Sequence, residues 1–112
     1  MPTYSDSKIA KNRVFMLMLD AATAVGDGVW FDISLLKTYT LHVQGITTAT
    51  VSVTGSNAAT QPADTAHGTL VANGTFTADG FMEKTATTRY LKVRVSAFTT
   101  GTISGFLFGQ TA

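Results

Sequence analysis

The chain has no cysteine, two prolines and a single glutamate among its 112 residues. Without cysteine there is no disulfide and no thiolate metal site, and the redox compartment is left open. Charged residues make up 13% of the chain, about half the usual share. The net charge of +1 leaves no basic footprint for nucleic acid or an anionic membrane. The basic residues are scattered, apart from Lys8, Lys11 and Arg13 near the start. The longest apolar run, residues 14–19, is far short of the roughly 20 residues a helix needs to cross a bilayer. It is also too short for a signal-peptide core, and Asp20 closes it, so the expectation is a protein made in the cytoplasm.

What the chain does have is threonine, 20 in all, within a 45% apolar composition. Threonine is β-branched and polar, which suits the wet face of a pleated strand. The apolar share is too high for disorder, and the length allows one domain with one core.

Residues 1–12 are polar, include Pro2 and read as an N-terminal arm; residues 13–112 form the domain. Residues 13–19 are apolar on both faces and read as a strand, since everything after them is strand-like. Val25-Gly26-Asp27-Gly28 carries an Asp-Gly turn signal, followed by a short strand at 29–33. Residues 37–43 and 48–54 alternate strictly, which predicts one buried and one wet face. Gln44-Gly45 is read as a break between them. Residues 55–68, with Pro62, form the longest loop, a length that is often functional or mobile. Asn73-Gly74 and Asp79-Gly80 are hairpin-turn signals. In residues 88–97, Leu91, Val93 and Val95 are expected inward, with Tyr90, Lys92, Arg94 and Ser96 outward. Thr99-Thr100-Gly101 is read as a turn. The last strand, 102–108, is apolar on both sides, with Ile103 and Leu107 opposite Phe106 and Phe108. The sum is seven to nine short antiparallel strands about ten residues apart, an all-β sandwich of jelly-roll (Greek-key) type.

Chemistry is sparse. His42 and His67, with Asp64, lack the tight spacing of a zinc site, so no metal and no cofactor are expected. Asp32, Asp79 and Glu83 are the carboxylates nearest strands, and each reads as a turn or solvated residue rather than half of a glycosidase pair. No serine lies in a Gly-x-Ser-x-Gly context. The chain reads as a non-enzyme. Asn73-Gly74-Thr75 fits a glycosylation sequon, but the turn reading is preferred. Trp30, Phe31, Tyr39 and Tyr90 could instead line a sugar-stacking face, giving a carbohydrate-binding or adhesin-like module as the alternative.

The two-faced apolar strands at 14–19 and 106–108 are the strongest functional signal. Either something covers one of their faces, or that face is a subunit interface.

The stretches VSVTGSN (51–57), RYLKVRVS (89–96) and GTISGFLFG (101–109) resemble segments of small virion proteins of tailed bacteriophages, over the C-terminal two-thirds of the chain. In size and strand pattern the chain is similar to capsid decoration (cement or staple) proteins of short-tailed phages. That resemblance implies a structural protein on the outer capsid surface of the virion, holding neighbouring major capsid protein subunits together, often as a homodimer. It carries over no catalytic or binding residue. The contact residues expected on this reading are Tyr4, Lys8, Lys11 and Arg13 in and beside the arm, Phe15, Phe106 and Phe108 on the end strands, and Pro62 in the long loop.

Overall fold

The computed structural model describes residues 13–111. Tyr4, Lys8 and Lys11 lie outside the described residues. The chain is all-β: β1 Arg13–Ala22, β2 Gly26–Asp27, β3 Phe31–Asp32, β4 Thr38–Ser56, β5 Thr69–Phe76, β6 Gly80–Thr85 and β7 Tyr90–Gln110. All seven belong to one antiparallel sheet.

Two of these strands are far longer than expected. β4 has 19 residues and β7 has 21, and they pair along nearly their whole length. A straight strand of 19 residues would run about 60 Å, yet the longest dimension of the molecule is 39 Å. The pair therefore has to bend. Pairing slips between Gln44 and Ile46 and again twice before Ala49, and each bulge bends and twists a ladder. Gly45 and Gly101 sit at this bend with φ of 89° and 133°. A Cβ on Gly45 would lie 1.8 Å from the Thr102 carbonyl oxygen, and one on Gly101 would lie 2.6 Å from that of Gly45. Only glycine fits either position. The Asp79 carboxylate accepts the Ile46 N–H at 2.8 Å, satisfying a donor at the bulge.

The bend divides the sheet into two halves. In one, β1, the end of β7, the start of β4 and β6 lie side by side. In the other, β2 and β3 flank the start of β7, which pairs with the end of β4 and then β5. The inward residues of both halves, Leu41, Val43, Ile103 and Leu107 with Val51, Val53, Val93 and Val95, are fully buried and belong to one core cluster.

Gly45 and Gly101 are thus bulges inside continuous strands, not breaks. Asn73-Gly74 also lies within β5: Asn73 takes the positive φ of 58° that a turn would need, but the register jump against β4 makes it a bulge. Gly26-Asp27 is a ladder with Val95 and Arg94 rather than a turn. Of the strand expected at 29–33, only Phe31–Asp32 pairs.

Candidate functional site

On the outer face of the first half, side chains of four strands align in rows. Leu17, Phe106, His42 and Phe81 form one row, and Phe15, Phe108, Thr40 and Glu83 the next. The alternation of β7 and β6 generates them: Leu107 and Met82 go into the core, which turns Phe106, Phe108, Phe81 and Glu83 outward. The aromatic rings touch. Phe15 stacks on Phe106 with centroids 6.2 Å apart, His42 stacks on Phe81 at 4.2 Å, and His42 tilts against Phe106 at 6.0 Å. Much of the two rows meets solvent: Phe81 is 71% exposed, Phe108 39% and Leu17 39%. Beside it lies a shallow depression of about 460 Å³ lined by Thr40, Glu83, Phe108 and their neighbours. Of the expected contact residues, Phe15, Phe106, Phe108 and Arg13 share this face, because Arg13 and Phe15 have the same strand parity. Phe81 and Leu17 belong with them. Phe81 follows directly on the Asp79-Gly80 turn signal, and only the pairing of β6 with β4 brings it beside His42.

The outer face of the second half is covered. Lys92 points outward from β7 as its alternation requires, yet it is 0% exposed. Residues 57–68 lie over it. Its ammonium donates to Asp27 Oδ1 at 2.9 Å, to the Asp64 carbonyl at 2.9 Å and to the Ala66 carbonyl. Three acceptors match the three N–H bonds of an ammonium. Arg94 Nε also donates to Asp27 Oδ1, at 3.1 Å, and His67 Nε2 stands 3.9 Å from Asp27 Oδ2. The Trp30 ring packs against the Lys92 ammonium, 5.2 Å from centroid to Nζ, and its indole N–H donates to the Ala63 carbonyl at 3.0 Å. The Trp30 backbone N–H reaches Asp64 Oδ1 at 3.4 Å. Asn57 Oδ1 takes the Arg89 N–H at 2.8 Å. The long loop is therefore clamped to the sheet, and half-buried Pro62 sits in a fixed segment.

Burial favours the neutral form of Asp27, but the hydrogen bond and charge of Lys92, the Arg94 hydrogen bond and the His67 charge outweigh it and hold the carboxyl below its ordinary 3.8. A carboxyl lowered on folding adds stability that is complete above its unfolded pKa and is lost as pH falls through the folded one. The clamp should thus hold down to about pH 4 and weaken below it. A melting series should show that loss in the wild type and a reduced acid slope in Asp27→Asn.

The remaining candidates are spread out. Asp32 accepts hydrogen bonds from the Ser34 hydroxyl and N–H, which hold it below its ordinary value. Asp79 serves the bend and Glu83 lies at the edge of the aromatic face. Among the described residues, no three His, Asp or Glu side chains stand together in a metal-holding group. Trp30, Tyr39 and Tyr90 are all buried, so they cannot form the sugar-stacking platform of the adhesin reading. Tyr90 and Lys92 were expected in solvent and are both buried; for Lys92 the cover comes from a segment remote in sequence.

Among the described residues, no helix is long and apolar enough to cross a membrane. No protein-family model and no curated protein matches the sequence. Among solved structures, the crystal structure of the SPBc2 prophage-derived protein YomS is similar, with a TM-score of 0.70 over 88% of this chain and 92% of that one at 12% identity. At that identity the likeness is one of fold alone.

Proposed function

We propose that this chain is a structural virion protein of a tailed phage, binding the outer capsid surface and stabilising contacts between major capsid protein subunits. The observation that carries this reading is the exposed aromatic row. A contiguous apolar face on a small domain marks an association surface more often than a free one. Its carboxylates are spent on structure, Asp27 on Lys92 and Arg94 and Asp79 on the bend, which favours a non-enzymatic role.

A protein that bridges subunits needs more than one contact surface. The aromatic face offers one, and the clamped loop around Pro62, on the other half of the sheet, offers a second. Rigidity at the loop lowers the entropy lost on binding. Many copies on one shell would act through avidity, so each contact can be weak. The phage setting draws support from the fold shared with a prophage-derived protein and from the sequence resemblance over the C-terminal two-thirds. On this reading the folded halves are the two layers of a jelly-roll-type sandwich.

The test is co-sedimentation of the purified protein with expanded, undecorated capsids. Saturable pelleting, at a fixed number of copies per capsid subunit, is the expected result. Protein left wholly in the supernatant at concentrations well above that of the sites would overturn the capsid assignment.

A further inference from the structure

We propose that the cleft between β5 and β6 is a binding site for a carboxylate, with the Lys84 ammonium as its counter-charge. The proposal is independent of the capsid reading and uses neither the aromatic face nor the loop around Pro62.

The cleft follows from the bend. β5 and β6 leave the turn at residues 77–79 to pair with opposite ends of β4, so the two strands diverge. The space between their far ends is about 380 Å³, at the lower end of the range of ligand sites. Lys84 stands on its wall with Tyr39, Ser56, Asn57 and Thr87. The alternation of β6 puts Lys84 on the inner side, since Met82 and Ala86 both pack against the core.

The charge of the cleft is unbalanced. Lys84 is half-buried, and among the described residues that line the cleft it alone is charged. Among the described residues it takes part in no ion pair. Glu83, its neighbour in sequence, points to the other side of the sheet. Lys92 makes the contrast. The fold meets that ammonium with a carboxylate and two carbonyls, as withdrawing a charge from water requires.

The polar groups beside Lys84 are left as donors. Asn57 Oδ1 already accepts the Arg89 N–H, which keeps the amide NH2 for donation. Ser56 Oγ accepts the Ala58 N–H at 3.1 Å, and its O–H is free to turn to a ligand. Burial pushes the Tyr39 phenol above its ordinary 10.0, so it stays a protonated donor at neutral pH. A wall of one cation and several donors, with no carboxylate of its own, suits an anion that accepts hydrogen bonds. One positive charge matches a carboxylate better than a phosphate, which carries about −1.5 to −2 at pH 7. The carboxylate is that of a free small acid or of an acidic side chain on a partner protein.

Titration of isotope-labelled protein with glutamate capped at both ends, at constant ionic strength, tests this by amide chemical shifts. A Kd of about 10 mM is expected for one ion pair with its hydrogen bonds. Shifts should saturate at residues 56–57, 69–72 and 84–88. Capped glutamine should bind at least ~5-fold more weakly. Lys84→Met keeps the apolar stem, should melt within about 3 °C of the wild type and should lose the preference for glutamate. Acetate separates the two sources: affinity equal to that of capped glutamate assigns the site to a free acid, and weaker affinity to a partner's side chain. No saturation by about 50 mM would overturn the proposal. Equal binding of the two capped amino acids, or a preference for glutamate that survives Lys84→Met, would do the same. Each of these failures leaves the outcome of capsid pelleting untouched.

Discussion

Asp27→Ala is expected to cost about 3–5 kcal/mol of folding stability, the largest loss of any single exchange outside the core. It strands the Lys92 ammonium, 0% exposed, on two carbonyls with no counter-charge. Lys92→Met should cost less, about 3 kcal/mol, although it deletes the more deeply buried partner. Asp27 is 24% exposed and would keep Arg94 at 3.1 Å, whereas the carbonyls of Asp64 and Ala66 would lose their donor. For a domain of this size those losses correspond to melting points lower by about 12–20 °C. Trp30 gives a second readout, since it is the sole tryptophan and packs on both Lys92 and the loop. Its emission should shift to the red in both variants, with faster amide exchange confined first to residues 57–68. Equal and small losses, with unchanged emission, would mean the loop is held by something other than the clamp.

The second large effect is on association. Replacing Phe81 and Phe108 together by threonine should leave folding within about 1 kcal/mol of wild type, because both rings are substantially exposed and threonine suits a strand face. Capsid binding should weaken at least ~30-fold if the rings are central to that contact, where truncation of an aromatic anchor costs about 2 kcal/mol or more. The melting curve and the binding assay are to be read on the same preparation. A variant that binds as the wild type does would show that the exposed row is only surface.

Much of the fold was legible, and the reason is local. The sorting of Ile103 and Leu107 from Phe106 and Phe108, and the burial of Leu91, Val93 and Val95, follow from a period of two that each strand carries in itself. Strand continuity at Gly45 and Gly101 was not legible. A glycine with positive φ is what a turn and a bulge both need, and only the register against the partner strand tells them apart. Lys92 illustrates a second limit. Its outward direction was readable, but its burial depends on Asp64 and Ala66, more than two dozen residues away. Trp30 disappears from the surface for the same kind of reason, through Ala63 and Asp64. Of the candidate site, Phe106 and Phe108 were readable as neighbours on one side of their own strand, whereas their sharing a face with Arg13 and Phe15 depends on the pairing of β1 with β7. Phe81 joined them only through the pairing of β6 with His42, which the alternation of neither strand encodes.

The central claim is that the aromatic row is covered when the protein is at work. Hydroxyl-radical footprinting, read residue by residue by mass spectrometry, tests it most directly. The dilute free protein should be oxidised readily at Phe81, Phe108 and Leu17, and the same side chains should be protected on decorated capsids, with exposed Leu35, in the turn between β3 and β4, as a comparison. Unchanged oxidation of all three on a particle that demonstrably carries the protein would contradict the account.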